Sequence, residues 1–571
     1  MLIRAVIIIL SIIFGCWSSS VLLVSRLGNE ISKSQVWFSI GDIHFFAPWL
    51  WAKWFFLYGA RYKDIFFDTM WPICISVLLG ITTVWLLRIL QTTKNVSNAH
   101  GSARFASDNE IIKSGLVQEH GIVLGQKMGS RDLLCHDGPE HVLVVAPTRG
   151  GKGVGIVIPT LLNWKESVII FDPKGENWEK TSGHRSTLGR CLCFNPTSSK
   201  SSRFNPLMEI RKGDLEVKDV QNIADIIVDP DGRLDFRNHW QNAAHSLLVG
   251  TILHVLYSHP RKSLTGVLEF LTTPEVSFVD NLEDMSKSEH HIVKSVAQEM
   301  LNKHIEERSG VLSTAVSLLS IFRDPIVANA TDHHDFEIKS LKKDKTPLSL
   351  YLVLPPSDIS RLRVLLRMML NQIGRVLTEE HNEYSEPSRK VLFLLDEFPA
   401  LGRLEFFETA LAYMAGYGLN ALIICQSLNQ LQKAYGERNS ILDNCHVRVA
   451  FANNDEQTAR RLSNMLGEQT VIKEQTSYSG ARFSMFKPSS SIAKIEYGRP
   501  LLFPAEINRL PSDQELILIN GLFPVLANKV RYYQDKRFIK KLLKPSFLEE
   551  KEEKIPLTNN PLVSTLSGTS L

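Results

Sequence analysis

The sequence has few cysteines, and none of them has the spacing of a metal site. Seven occur in 571 residues. They do not combine with histidines at the separations that zinc sites need, and such scattered use is typical of a reduced, cytosolic protein. The pair at 191 and 193 alternates along a predicted strand, which favours core packing over redox chemistry. The cysteines are Cys16, Cys74, Cys135, Cys191, Cys193, Cys425 and Cys445.

A large excess of one charge is also missing. The formal net charge is only +4, well short of the strongly basic signature of many nucleic-acid-binding domains. Charge therefore neither requires nor excludes DNA as a partner. The hydrophobic and charged fractions, 44% and 22%, are ordinary for a globular protein, and the length favours two or three domains.

Charged residues are rare in two apolar stretches near the N-terminus, residues 2–24 and 71–90. Each is close to the ~20 residues that span a bilayer. Between them, residues 45–56 are rich in aromatic side chains, which is typical of a membrane–water interface. A cleaved signal peptide is the alternative for the first stretch, but no A-x-A-like cleavage site is evident. We therefore expect two transmembrane helices.

The most informative stretch is HVLVVAPTRGGKGVG, residues 141–155. It predicts a buried strand, a glycine-rich turn with one lysine, and the start of a helix, which is the layout of a phosphate-binding loop. The strict G-x-x-x-x-G-K-[ST] pattern is broken at Ala146 and Gly153. Because Gly153 lacks a hydroxyl group for Mg²⁺, the metal would depend more on Asp396, water and the phosphates. A plain glycine turn with a surface lysine is the alternative.

Charge and backbone geometry assign the roles in this loop. Its N–H groups would surround the β-phosphate at a helix N-terminus. Lys152 would place its charge on the β- and γ-phosphate oxygens. The predicted nucleotide-binding residues are Thr148, Arg149, Gly150, Gly151, Lys152, Gly153 and Val154.

A second apolar run, residues 391–395, ends in Asp396 and Glu397. Asp396 would hold Mg²⁺, directly or through water, and Glu397 would orient or deprotonate the attacking water. An Asp-Glu pair after a strand is often only a polar loop or a helix N-cap. The apolar run before the pair and the Phe-Pro after it favour a strand end that faces a ligand. With Lys152, these two residues are predicted to be catalytic in ATP hydrolysis.

A third short strand, residues 420–425, is followed by Gln426. Because ligands of parallel α/β sheets bind beyond the carboxyl ends of the strands, Gln426 is a fourth catalytic candidate, as a sensor of the γ-phosphate. A glutamine that caps the next helix is about as good an interpretation. Together the three strand ends predict an α/β fold with a P-loop NTPase core that uses ATP and Mg²⁺.

The core is predicted to be interrupted by helices. Strand-like runs occur at 167–171, before the charged turn 172–176, and at 348–354, whereas 241–256 and 310–322 have helical spacing. Because the ATP site must face the cytoplasm, the loop between the apolar stretches is placed in the periplasm. The predicted parts are a membrane anchor with two helices and a periplasmic loop (1–93), the first part of the nucleotide-binding core (94–213), an all-α insertion (214–323), the second part of the core (324–535) and a charged, disordered tail (536–571).

Several motifs together resemble those of the coupling proteins of type IV secretion systems, the TraG/TraD-like ATPases of conjugation and effector export. The resemblance extends from the N-terminal apolar stretches to about Val530. Glycine after the loop lysine is common in this family, so Gly153 does not imply a loss of function. The matching stretches are HGSARF at 100–105, APTRGGKGVG at 146–155, DPKGE at 172–176, FNP at 204–206, LDEFPALGR at 395–403 and QSLNQL at 426–431.

The resemblance implies a RecA-like core with an inserted helical domain that engages cargo. It also implies an inner-membrane homo-hexamer with ATP between subunits. The implied partners are components of the secretion channel and, as cargo, a complex of single-stranded DNA with protein or protein effectors. An arginine supplied by a neighbouring subunit is expected, but no arginine lies between Arg403 and Arg438.

Three functions fit these features to different degrees. The first is an ATP-driven motor that brings substrate to the channel. The second is a membrane-anchored receptor that binds cargo and uses ATP only to assemble. The intact Lys152, Asp396 and Glu397 favour the motor. The third, a double-stranded DNA pump, is disfavoured by the short insertion and by the lack of a long Pro/Gln-rich linker. The sequence leaves DNA and protein cargo equally open.

Overall fold

The computed structural model describes residues 2–27, 36–40, 43–92, 98–232, 238–379, 389–479 and 489–545. The chain divides into two compact units. The smaller unit contains residues 1–99 together with 474–496, and the larger unit contains 100–473 and 497–571.

Two long apolar helices dominate the smaller unit. Their segments Val6–Leu27 and Lys63–Leu86 are long and apolar enough to cross a membrane, with mean hydropathies of 2.4 and 1.7. The two predicted apolar helices are therefore present, although the second begins at Lys63 rather than at residue 71. The elements of this unit are α1 (Leu2–Leu27), β1 (Val36–Ile40), β2 (Ile43–Phe46), α2 (Leu50–Tyr58) and α3 (Lys63–Thr92).

Small residues let α1 and α3 approach closely. A Cβ atom added at Gly15 of α1 would lie 2.1 Å from Ser76 Oγ, and one added at Gly80 of α3 would lie 2.6 Å from Ser11 Oγ. Contacts between glycine and serine are common where helices pack against each other inside a bilayer. Any larger residue at either glycine would therefore push the two helices apart.

A large mixed sheet forms the centre of the larger unit. Its strands are β3 (Ile122–Lys127), β4 (Leu133–His136), β5 (Val142–Val145), β6 (Ser167–Asp172), β7 (Arg190–Phe194), β8 (Leu348–Val353), β9 (Val391–Leu395), β10 (Leu419–Cys425), β11 (Val447–Ala450), β14 (Gln514–Ile519) and β15 (Val525–Asn528). A separate pair, β12 (Glu468–Ser479) and β13 (Ser489–Pro500), forms its own two-stranded sheet.

The eleven strands lie in the order β4-β3-β15-β14-β11-β5-β10-β9-β6-β8-β7. Strands from β11 to β7 run parallel, and the remaining ones form an antiparallel edge. The central strands β5, β6, β8, β9 and β10 are buried along their whole lengths. Continuous apolar runs are what a parallel sheet covered on both faces requires, and the predicted strands of the parallel part are confirmed.

Helices cover both faces of the sheet. Alternate residues of β6 separate the two apolar cores: Ile169 belongs to the core shared with the inserted helices, and Val168 to the core shared with the helix that follows the phosphate-binding loop. The helices are α4 (Asp108–Lys113), α5 (Ile158–Asn163), α6 (Glu176–Leu188), α7 (Glu216–Val228), α8 (His239–Ser258), α9 (Leu264–Thr272), α10 (Phe278–Ser286), α11 (His291–Asn302), α12 (Ile305–Leu318), α13 (Pro325–Asp332), α14 (Ser340–Lys343), α15 (Ile359–Glu379), α16 (Glu405–Ala410), α17 (Leu428–Tyr435), α18 (Ile441–Asn444), α19 (Glu456–Leu466), α20 (Pro504–Asn508) and α21 (Lys536–Ile539).

The inserted helical segment extends further than the sequence predicted. Helices continue from α7 to α14, so the segment ends near Lys343 and not at residue 323. The reason lies in Asp324 and Pro325, which start α13: the Asp324 side chain accepts a hydrogen bond from the Ile326 N–H at 3.0 Å. An Asp at the N-cap with Pro at the first helical position is a strong start signal.

The predicted disordered tail also needs a correction at its beginning. Phe538 of α21 is 1% exposed, and Lys541 Nζ donates to the Leu162 carbonyl at 2.9 Å. A Cβ atom added at Gly183 of α6 would lie 2.3 Å from the Leu543 carbonyl oxygen. Residues 536–545 are therefore packed on the larger unit, because Phe538 is an apolar anchor within the charged run. The rest of the predicted tail, 546–571, lies outside the described residues.

Candidate active site

The candidate residues meet because their strands are neighbours. In the sheet β10 lies between β5 and β9, and β6 lies on the other side of β9. All four strands are parallel, so their carboxyl ends lie at one edge. Ligands bind at this edge in open α/β sheets. The structure thereby brings together the phosphate-binding loop after β5 and the polar residues that follow β6, β9 and β10.

The phosphate-binding loop is held by backbone hydrogen bonds. Gly150 N–H donates to the Pro147 carbonyl at 2.9 Å, and Gly155 N–H donates to the Gly151 carbonyl at 2.7 Å. Gly151 has a φ of 93°, which costs a glycine little, whereas Arg149 has a φ of 63°, which a non-glycine residue seldom adopts. A π-helical turn, Gly153–Val157, then leads into α5. The predicted strand–loop–helix layout is confirmed, and the plain surface turn is not what the structure contains.

The space around the loop is open at Gly151 and Gly153. A Cβ atom added at either glycine would meet no other atom within 4 Å. Packing therefore does not require glycine at position 153, since a serine side chain would fit there.

Lys152 lies between the two predicted carboxylates. Its Nζ is 2.8 Å from Asp396 Oδ1 and 2.9 Å from Glu397 Oε2. All three side chains are about four-fifths buried, with exposures of 19%, 17% and 21%. Burial lowers the pKa of Lys152, but the charges of Asp396 and Glu397 outweigh it, so the pKa is raised from its ordinary value. The ammonium group is therefore charged at neutral pH.

Glu397 has an unusual backbone conformation. Its φ is 63°, in the left-handed region that a non-glycine residue seldom adopts and that clusters at functional sites. It precedes a 3₁₀ turn, Phe398–Leu401, but its side chain makes no capping hydrogen bond there. The carboxylate contacts Lys152 instead. The alternative of a simple N-cap is therefore wrong, and the strained backbone aims the carboxylate into the site.

Gln426 joins the site through the loop. Thr148 Oγ1 donates to Gln426 Oε1 at 2.9 Å. The helix that follows is capped by Ser427, whose hydroxyl accepts from the Gln430 N–H at 3.3 Å. The capping interpretation of Gln426 is therefore wrong. Its role as a sensor stays a prediction.

Asp172, at the end of β6, adds a buried acid beside the site. Its side chain is 1% exposed, and Oδ2 accepts a hydrogen bond from the Trp178 N–H at 2.9 Å. The carbonyl of Phe171, the residue before Asp172, accepts a hydrogen bond from the Asp396 N–H at 3.3 Å. Burial raises the pKa of Asp172 to about 6, and the negative charge of Asp396 adds to the effect. The charged turn at 172–176 therefore begins beside Asp396.

An Asp172→Asn variant should change how stability depends on pH. The pKa of Asp172 is about 6 in the folded chain against an ordinary 3.8. Between these two pH values the folded chain therefore keeps a proton on Asp172 that the unfolded chain releases. Rising pH through this window lowers the free energy of unfolding, by at most ~3 kcal/mol. Asparagine has no proton to lose, so thermal melts at about pH 4.5 and pH 7.5 should differ less for the variant. Equal pH dependence of the two proteins would contradict the assignment.

Sequence reasoning missed one residue that contacts the loop. Lys529, which directly follows β15, donates from Nζ to the Gly150 carbonyl at 3.1 Å. It lies far along the chain, in a part of the sheet whose strands were not predicted. No motif marks it, so only the fold reveals that it reaches the site.

A comparison of the sequence with models of protein families identifies the family of this chain. Residues 102–554 match the sequence model of the family described as type IV secretory system conjugative DNA transfer. The chain belongs to this family. Membership confirms the resemblance to the coupling proteins of type IV secretion systems that the motifs indicated.

Two related proteins support the same family membership. The chain is 37% identical over 551 residues to a conjugal transfer protein TraG of Escherichia coli, with 87% of this chain and 86% of that protein covered. It is 30% identical over 507 residues to the protein VirD4 of Rhizobium rhizogenes, covering 84% of this chain and 72% of that protein. The similarity thus extends well beyond the site motifs.

Solved structures confirm the fold of this coupling-protein family member. The conjugative coupling protein TrwB, lacking its N-terminal segment and in complex with sulphate, superposes with a TM-score of 0.57 at 20% identity. That match covers 76% of this chain and 96% of TrwB. TrwB in complex with ADP and Mg²⁺ gives the same TM-score. The predicted RecA-like P-loop NTPase core is therefore confirmed.

Proposed function

We propose that this chain is an inner-membrane ATPase that recruits DNA–protein or effector substrates to a type IV secretion channel and drives their transfer. The observation that carries the proposal is the position of Lys152 between Asp396 and Glu397, at the carboxyl ends of adjacent parallel strands. A receptor that used ATP only to assemble would not need Glu397 as a base for hydrolysis.

The side chains fit MgATP. Hard carboxylate oxygens are the ligands that Mg²⁺ prefers, so Asp396 would hold the ion. The bound ion would neutralise part of the negative charge of the phosphates. The N–H groups of residues 149–154 would contact the β-phosphate. Lys152 would leave the carboxylates and place its charge on the β- and γ-phosphate oxygens, where charge develops in the transition state.

Glu397 is the base in this proposal. Once Lys152 moves onto the phosphates, the carboxylate of Glu397 is free to accept a proton from the attacking water. Gln426 would sense the γ-phosphate and report it to the loop through its hydrogen bond with Thr148. TrwB binds ADP with Mg²⁺, which supports the same ligands here.

The remaining parts of the proposal concern assembly and location. The apolar segments of α1 and α3 support an inner-membrane anchor with the larger unit in the cytoplasm. We propose a homo-hexamer with ATP between subunits, as the family resemblance implies. Such an arrangement would explain the open space beside Gly151 and Gly153 on a single chain, since a neighbouring subunit would complete the site.

An Asp396→Asn variant tests the function in cells. A donor strain that lacks its own copy is complemented with the wild-type chain, with this variant, or with the matched control Asp443→Asn, which changes an exposed carboxylate of α18. We expect the Asp396 variant alone to lose cargo transfer, while cargo still crosslinks to it. Normal transfer by that variant would instead support the receptor function.

Cargo recognition is assigned to the inserted helices. The two ends of this segment are tied together, because the Phe204 N–H donates to the Ala330 carbonyl at 2.9 Å and the Arg203 N–H donates to Asp335 Oδ2 at 2.8 Å. Residues 205–334, which contain α7 to α13 but not α14, therefore begin and end side by side and can be exchanged as a unit. It supplies none of the predicted ATP-site residues, and specificity tends to lie in such grafted parts.

Exchange of residues 205–334 between relatives with different cargo should transfer cargo choice. With single-stranded DNA as cargo, binding should weaken steeply with salt because phosphate contacts release counterions. With protein cargo the salt dependence should be shallower. The reverse chimaera is the control, and ATP turnover should be retained in both. Cargo choice that stays with the rest of the chain would move recognition elsewhere, most plausibly to the charged C-terminal tail.

A further inference from the structure

A fully buried carboxyl group lies at the antiparallel edge of the sheet. Glu515 of β14 is 0% exposed, and neither of its side-chain oxygens has a hydrogen-bond partner among the described residues. The sheet makes room for it: a Cβ atom added at Gly125 of β3 would lie 2.4 Å from Glu515 Oε1. A buried carboxyl group without hydrogen bonds is costly to ionise, and burial therefore raises the pKa of Glu515 well above its ordinary value.

Lys529 is a basic neighbour of this carboxyl group. In the register of β14 and β15, Glu515 is opposite Ala527, which places Lys529 on the same face two residues further on. Burial raises the pKa of Glu515, and the positive charge of Lys529 opposes this rise. The interaction is reciprocal: burial lowers the pKa of Lys529, and Glu515 works against that decrease.

The ammonium group of Lys529 also reaches the phosphate-binding loop. It donates to the Gly150 carbonyl at 3.1 Å and lies 3.9 Å from the centre of the Phe451 ring. Phe451 is itself buried and donates its N–H to Val145, the last residue of β5. Lys529 is therefore fixed between a buried carboxyl, an aromatic face and the loop backbone.

The Gly150–Gly151 peptide is the most easily rotated unit of this loop. Glycine on both sides removes the steric barriers that hold other peptides in place, and Gly151 already has φ of 93°. The C=O and N–H of a trans peptide point in opposite directions. A bond that fixes the Gly150 carbonyl therefore also fixes the direction of the Gly151 N–H, one of the predicted phosphate donors.

We propose that Lys529 is a positioning residue that locks the Gly150–Gly151 peptide in its phosphate-binding orientation. This inference rests on the proposed function of the loop, because it names a residue that prepares the same site for nucleotide. Without Lys529 the peptide can rotate and turn the Gly150 carbonyl towards the phosphate. Lys529 contacts no reacting atom in this account and acts only through the loop backbone.

The test measures binding of a fluorescent ATP analogue with Mg²⁺ to the full-length chain in detergent, together with kcat and KM for ATP. Lys529→Met should weaken binding about tenfold, the effect of losing one charge-assisted hydrogen bond. It should raise KM with little change in kcat, since Lys152 and Glu397 remain. The matched control is Lys541→Met. It removes a lysine that donates in the same way to a backbone carbonyl, that of Leu162 in α5, the helix after the loop. It should leave nucleotide affinity unchanged.

A double variant separates positioning by Lys529 from an effect of the neighbouring carboxyl group. Glu515→Gln removes that carboxyl group and should leave the nucleotide affinity of the wild-type chain unchanged. Added to Lys529→Met, it should not restore the nucleotide affinity. Restored affinity in the double variant, or unchanged affinity in Lys529→Met, would overturn the inference while the proposed function stands. Absence of nucleotide binding by the wild-type chain would overturn both.

Discussion

A Lys152→Ala variant should hydrolyse no ATP above background and should support no cargo transfer. Lys152 is the charge that the loop places on the β- and γ-phosphates. Loss of one such transition-state contact costs about 10²–10³-fold in rate, and weakened binding adds to that loss. Phosphate release by the purified full-length chain measures the effect. The matched control is Lys180→Ala, which removes an exposed lysine of α6 that forms an ion pair with Glu179.

Folding must be separated from chemistry in this experiment. Alanine at 152 leaves the buried Asp396 without its partner, and such a loss costs up to ~3–5 kcal/mol in a fully buried pair. Lys152→Arg keeps the positive charge and so should keep most of the stability. Its planar guanidinium group does not replace a compact ammonium at a phosphate site, so hydrolysis should still fail. Full hydrolysis by either variant would refute the role of Lys152.

A Glu397→Gln variant should bind ATP normally but hydrolyse it about 10²–10⁴-fold more slowly, the usual cost of losing a general base. Glutamine keeps the shape of the side chain and accepts the 2.9 Å hydrogen bond from Lys152 through its amide oxygen. The variant should therefore fold and hold ATP. Glu405→Gln, an exposed glutamate of α16, is the control. Loss of nucleotide binding together with turnover would make Glu397 a structural residue or a metal ligand.

The parallel part of the fold could be predicted because its strands are continuous apolar runs. Residues 391–395 and 420–425 are buried on both faces, and a strand of this kind differs sharply from its polar surroundings. Each run ends in a charged or polar residue at the same edge of the sheet. The same contrast placed Lys152, Asp396, Glu397 and Gln426 in one site before the fold was known.

The antiparallel edge could not be predicted in the same way. Strands β3, β14 and β15 are short and mix buried with half-buried residues, and β14 contains the fully buried Glu515. A charged residue type inside a strand argues against burial, so the sequence did not mark this strand. The pairing of β14 with β15 also brings Lys529, which no motif marks, to the loop.

The boundaries of the insertion and of the tail were misjudged for local reasons. The helical periodicity of the insertion ends near residue 323, which assigns α13 to the core. The start signal at Asp324-Pro325 instead begins another helix of the insertion. In the C-terminal run, Phe538 is one apolar residue among lysines and arginines, and its burial depends on a pocket formed by distant segments. Neither a charge count nor a periodicity contains that information.

The most direct test of the account is a single-turnover experiment that measures bound ATP and released phosphate together. The full-length wild type, Lys152→Ala and Glu397→Gln are each mixed with a limiting amount of γ-labelled ATP and Mg²⁺. The account predicts that the wild type releases phosphate, that Glu397→Gln retains intact ATP, and that Lys152→Ala retains none. Phosphate release at the wild-type rate by Glu397→Gln would contradict it, because the buried carboxylate beside Lys152 would then have no part in hydrolysis.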